Sequence, residues 1–174
     1  IVFGDWSSDV CSSDLAERRQ FAEAEKTFRA LLERSTGTAR LPELVNLAMV
    51  CGEQGKLEEA ERLLRQALEI APEHPRVANA LAAFLADHQL KLDEALSLAA
   101  RALQSAPDDP QFLDTLGWVQ AQRGNLEAAE HTLERALGLA GQEPPADKIR
   151  KHLDQVREER FRLSPNNQPD PKKP

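Results

Sequence analysis

The chain has 174 residues, 29 Asp and Glu against 22 Lys and Arg, and a formal charge of −7 at pH 7. That mildly acidic balance excludes electrostatic binding of nucleic acid as the main activity. No stretch reaches the ~20 consecutive apolar residues of a membrane-spanning helix, and scarce aromatics beside abundant Ala, Leu, Glu, Arg and Gln favour helices.

The opening stretch, IVFGDWSSDVCSSDL at 1–15, resembles nothing downstream. It lacks the basic residues and the apolar run of roughly 7–15 residues that make a secretory signal. Read back into codons, Trp6 to Leu15 gives TGG AGT TCA GAC GTG TGC TCT TCC GAT CT, which matches a common short-read sequencing adapter. Residues 1–15 are therefore expected to be a translated artefact, and the natural protein to begin at or before Ala16. Without Asp5, Asp9 and Asp14 the net charge becomes −4. Cys51 is then the sole cysteine, so no intramolecular disulfide can form, and Trp118 the sole tryptophan. Asp14, with Glu17 three residues on, still satisfies a helix-start pattern, so a helix beginning there is expected.

From Ala16 onward the chain reads as repeated helical halves. RQFAEAEKTFRALLERSTG at 19–37 is expected to be the second helix of a pair that lacks its first, within a truncated unit at 16–40. Exposure of Phe28 and Leu31 there would forfeit roughly 1.5–3 kcal/mol each relative to full burial. Three helix pairs follow at 41–143. Their first helices are LPELVNLAMVCGEQ at 41–54, PRVANALAAFLADHQ at 75–89 and PQFLDTLGWVQAQR at 110–123. Their second halves are GKLEEAERLLRQALEIAPEHP at 55–75, LKLDEALSLAARALQSAPDDP at 90–110 and GNLEAAEHTLERALGLAGQEP at 124–144, offset by 35 and 34 residues. Apolar residues recur at helical spacing, as in Leu44, Leu47 and Cys51, or Leu64, Ala67 and Leu68. Gly55 and Gly124 suit tight turns within pairs, and Pro72 and Pro107 stop the second helices. The extra residue of the middle copy falls in the turn DHQLK. At 144–163, Ile149, Leu153 and Val156 share one face of a charged helix, expected to cap the array. Its basic residues are interleaved with Asp147, Asp154, Glu158 and Glu159, which favours a solvated face over RNA binding. The polar, Pro-rich end at 164–174 is expected to be disordered.

These residues resemble the tetratricopeptide repeat, a helix pair of about 34 residues with W-x2-L-G-x2-Y, A-x3-F and P signatures. Leu113, Leu116, Gly117, Ala129, Leu133 and Ala136 carry the match in the last pair. Leu44, Leu47, Ala48, Cys51, Ala60, Leu64, Ala67 and Pro72 carry it in the first. In the middle pair they are Ala78, Leu81, Ala82, Leu85, Ala95, Ala102 and Pro107, with Ala99 departing from a column that usually holds a large residue. The resemblance implies an all-α, right-handed superhelical solenoid of antiparallel helix pairs. It also implies a concave groove, lined by the first helix of each pair, that holds a peptide or helix of a partner protein. Placing the groove columns on this chain gives Val45, Asn46 and Met49, then Arg76, Asn79 and Ala83, then Asp114, Thr115 and Trp118. Asn46 and Asn79 would pair with an extended backbone, while Met49 and Trp118 would offer apolar contact. For Trp118, packing against the next helix is an equal alternative. One subtype of the family clamps a C-terminal carboxylate. Here Asn46 and Arg76 match its columns, but Ala80 replaces its Arg, so clamping is not expected.

No catalytic constellation stands out. The four histidines lie in no metal-binding spacing, and His74 and His88 fall in turns. Cys51 occupies an inward column and is expected to pack rather than react. The expected function is thus non-catalytic protein–protein interaction, with no cofactor, metal or small-molecule substrate. The competing expectation is an accessory array of an enzyme whose catalytic part lies upstream. Ala/Leu/Arg-rich usage hints at a bacterial source; the sequence assigns no compartment, which for a soluble bacterial protein would be the cytoplasm or the periplasm.

Overall fold

A computed structural model of the chain describes the backbone of residues 6–142 and 145–164, with side chains from Gln20 onward. The regular structure among them is helical throughout: α1 (Trp6–Arg34), a 3-10 turn at Gly37–Arg40, α2 (Leu41–Glu53), α3 (Leu57–Ile70), α4 (Pro75–Asp87), α5 (Leu92–Ser105), α6 (Pro110–Gln122), α7 (Leu126–Ala140) and α8 (Ala146–Leu163). Two compact units result, Ile1–Pro72 with α1 to α3 and Glu73–Pro174 with α4 to α8. The expected tail lies, beyond Ser164, outside the described residues.

Helix starts follow proline chemistry. Pro42, Pro75 and Pro110 occupy the first turns of α2, α4 and α6, where the missing N–H has no intrahelical partner to lose. Asp109 caps α6, its carboxylate accepting from the N–H of Gln111 at 2.8 Å and of Phe112 at 3.3 Å. α1 departs from expectation. It begins at Trp6, not at Asp14, and runs unbroken past Ala16. From Trp6 to Arg34 there is no Gly or Pro, so a helix once nucleated has nothing to stop it.

The turn inside each pair is built on one left-handed residue. Gly55 has φ +75° and Gly124 has φ +82°. In both turns the next residue donates back to the helix, Lys56 to Cys51 and Asn125 to Gln120, at 2.9 Å each. The middle turn repeats the geometry without glycine. Gln89 takes the left-handed position at φ 53°, Leu90 donates back to Leu85 at 2.7 Å, and the added residue, Lys91, is also left-handed at φ 43°. Left-handed backbone costs a residue with a Cβ roughly 1–2 kcal/mol.

In the first unit, α2 buries Leu41, Leu44, Leu47, Ala48 and Cys51, and α3 buries Ala60, Leu63, Leu64 and Ala67. In the second unit, Ala95, Ala99 and Ala102 give α5 a fully buried stripe of small residues. Ala99 therefore packs despite its departure from the usual large residue. Leu113 of α6, Ala129, Leu133 and Ala136 of α7, and Ile149, Leu153 and Val156 of α8 share one core. The predicted face of the terminal helix is thus the face that docks. Gly117 lets α6 approach α7 closely, since a Cβ there would lie 2.7 Å from Leu133 Cγ and 3.3 Å from the carbonyl oxygen of Ala129. Gly117→Ala is expected to destabilise the chain by about 1–3 kcal/mol through overpacking, read as a lower denaturant midpoint.

Candidate functional site

The first-helix faces that the core leaves uncovered are the candidate binding surface, and each unit presents its own. In the first unit, α2 turns Leu44, Leu47 and Cys51 inward, which at helical spacing leaves Asn46 exposed and Val45 half-buried. Met49 is 49% exposed, a large apolar side chain facing water.

An ion network closes the other side of this unit. Glu25 of α1 meets Lys56 at 2.7 Å and Arg29 at 2.8 Å, and Arg29 also meets Glu59 of α3 at 2.7 Å. Lys56 and Arg29 hold the Glu25 carboxyl at about 2, well below its ordinary 4.5. Because the folded-state value is depressed, the stabilisation is complete above about pH 4.5 and is lost as pH falls toward 2. Glu25→Gln is expected to cost about 1 kcal/mol at neutral pH. It is also expected to flatten the decline of the thermal midpoint between those two pH values, as scanning calorimetry would show. Cys51 lies under this network, and Glu25, Cys51 and Glu59 bring metal-ligating atom types within 4.8 Å of one another. The carboxylates are engaged by cations, and burial pushes the Cys51 thiol up, away from the thiolate that a metal requires. The cluster is an ion network over a packed cysteine, as the inward column predicts.

In the second unit, α4 carries Arg76, Asn79 and Ala83 on one face, Arg76 exposed and the other two half-buried. Asn79 Oδ1 is sealed from solvent with no donor among the described residues, which makes it an acceptor that pays a desolvation penalty. The α6 positions differ from the expectation of an open groove. Asp114 is 3% exposed and Thr115 is 4% exposed. The Thr115 hydroxyl donates to the Gln111 carbonyl of its own helix at 3.1 Å. Asp114 Oδ1 is 2.8 Å from His152 Nδ1 on α8. Trp118 is half-buried and stacks on the same imidazole, ring centroids 4.3 Å apart and planes 8° from parallel. Of the two readings of Trp118, packing against the next helix describes its main contact.

His152 was not singled out by sequence reasoning, though a signal existed. It stands three residues after Ile149 and four before Val156, inside the apolar stripe of α8, and is 8% exposed. A polar residue on a buried stripe needs a partner. The four arginines of α8 are engaged in ion pairs. Arg157 bonds Glu130 at 2.9 Å and Glu134 at 2.5 Å, Arg160 also bonds Glu130, Arg150 bonds Asp147, and Arg162 bonds Glu159. Arg157 and Arg160 hold the Glu130 carboxyl below its ordinary value. Among the described residues no helix is long and apolar enough to cross a membrane.

Comparison with known proteins agrees with this architecture. Two family models described as tetratricopeptide repeat match residues 38–108 and 88–153. A TPR repeat-containing protein, PA4667, of Pseudomonas aeruginosa is 33% identical over 135 residues, covering 75% of this chain but 22% of that protein. The chain thus spans about a fifth of the length of this bacterial relative. Among solved structures, the Sgt2 TPR domain from Aspergillus fumigatus superposes with a TM-score of 0.62 at 18% identity, covering 77% of this chain and 87% of that one. An O-GlcNAc transferase mutant from Thermobaculum terrenum gives 0.60 at 23% identity, covering 70% of this chain and 23% of that one.

Proposed function

The chain belongs to the tetratricopeptide-repeat family, and from that premise we propose that it is a non-catalytic interaction module that holds a peptide or helix of a partner protein against its first-helix faces. The observation that carries this reading is the contrast between the two sides of those helices. Their inward columns are filled with buried Leu and Ala. Outward, Asn46 and Met49 on α2 and Arg76 and Ala83 on α4 leave donors, acceptors and an apolar side chain facing solvent. Such a mixture suits an extended backbone with interspersed apolar side chains. Asp114 and Thr115 drop out of the binding set, because both side chains are buried and bonded within the fold. Trp118 stays in it only by the part of its ring not covered by His152.

The triple substitution Asn46→Ala, Arg76→Ala, Asn79→Ala tests the proposal. Proteins captured by the immobilised chain are expected to fall about tenfold while the helical content and thermal midpoint remain close to the parent. Unchanged capture would count against these faces. A second reading, an accessory array attached to an enzyme, draws on the fold likeness to part of the O-GlcNAc transferase chain, of which this chain covers 23%. The full sequence of the natural gene decides it: a catalytic motif supports the accessory role, and further repeats support the scaffold.

A further inference from the structure

The second unit contains a pocket of about 620 Å³ lined from the C-terminal ends of α4 and α6 and from α8. Its apolar floor is Trp118, Leu126 and Val156, and its rim carries the carboxylates of Asp87 and Glu159 with the amides of Gln89, Gln122 and Gln155. Among the described residues no Lys or Arg lines it. Arg123, the neighbour of two lining residues, turns its guanidinium to Asp93 at 2.7 Å, and Arg162 pairs with Glu159 at 2.6 Å. Asp87 has neither an ion pair nor a side-chain hydrogen bond among the described residues.

Asp87 is also the last residue of α4. A carboxylate there faces the negative end of the helix dipole, which disfavours it by about 0.3–1 kcal/mol, and a lysine would be favoured by a similar amount. No cation among the described residues compensates for this placement. An uncompensated breach of a local rule beside an apolar concavity marks a position shaped by something outside the chain.

Resting on the interaction-module reading and deepening it, we infer that this pocket takes a basic, amphipathic segment of the partner, an apolar side chain on Trp118, Leu126 and Val156 with a flanking Arg or Lys on Asp87. Charge complementarity carries the choice, since the rim offers the unpaired Asp87 carboxylate and, among the described residues, no Lys or Arg lines the pocket. Arg suits it better than Lys, because its planar fork can serve a carboxylate and lie against the indole at once.

The test uses the full chain and labelled nine-residue peptides in which an apolar pair (Leu, Ile, Phe or Met) is flanked by Arg, beside the same set with Glu for Arg. Fluorescence anisotropy is expected to show binding of the Arg set only, weakening about tenfold on Asp87→Lys and again as salt rises from about 50 to about 300 mM. Because Asp87→Lys favours the helix end, loss of binding with an unchanged or raised thermal midpoint reports the pocket and not misfolding. Equal binding of both sets, or binding of neither, overturns the inference. Self-association of the chain that Asp87→Lys abolishes also overturns it, assigning the pocket to a second copy. Captured partners that are lost in the Asn46, Arg76, Asn79 variant yet indifferent to Asp87→Lys would overturn this inference and leave the broader interaction reading standing.

Discussion

Asp114→Ala is expected to cost about 3 kcal/mol and to loosen α8 from the rest of the second unit. Asp114 and His152 are both nearly sealed from water, and each is the other's hydrogen-bond partner at 2.8 Å. Truncating the aspartate leaves a buried imidazole nitrogen with nothing to bond, and a buried unsatisfied group carries its full desolvation penalty. Trp118 then stacks on a ring that has lost its anchor. His152→Leu should cost a similar amount, because the carboxylate is stranded instead. The double variant Asp114→Ala, His152→Leu should recover most of the loss, since removing both polar partners removes the unmet demand. Urea titration of the four proteins closes a double-mutant cycle. A coupling energy near zero would show that the pair contributes nothing beyond shape.

Leu133→Ala is the other large effect, expected at about 3–4 kcal/mol. Leu133 is fully buried in the core that joins α6, α7 and α8, so its loss leaves a cavity among three helices at once. The control is Leu139→Ala on the same helix, which is 46% exposed and should change stability by less than about 0.5 kcal/mol. A sharper check couples two sites. A Cβ on residue 117 collides with Leu133 Cγ, so Gly117→Ala and Leu133→Ala should be less than additive, the new methyl entering the space the leucine vacates. Strict additivity in guanidinium unfolding would contradict the packing described.

The helix pairs were legible because their cause is local. Leu and Ala at helical spacing, Pro in first turns and Gly at 55 and 124 fix helix limits residue by residue. The face of α8 that docks was legible for the same reason. The candidate groove was only half legible. Asn46, Met49 and Arg76 are outward by spacing alone, but Asp114 and Trp118 sit in equivalent columns and are covered by α8. What hides them is a partner about 38 residues away in sequence, and helical periodicity says which face a residue is on, not what lies against that face. The start of α1 was misjudged for a different reason. A cap pattern at Asp14 marks where a helix can begin, but only a breaker would force it to begin there, and the chain supplies none between Trp6 and Ala16.

The middle turn has one more consequence. Three turns close the same way on the helix before them, yet the one built on Gln89 and Lys91 holds a residue more than the two built on glycine. Neither helix beside it changes register to make room. The extra residue of the middle pair is thus taken up in its turn, while α4 keeps the 13 residues of α2 and α6, and α5 the 14 of α3. Over generations, drift in repeat length should collect at such hinges, leaving the packed columns to diverge only by substitution.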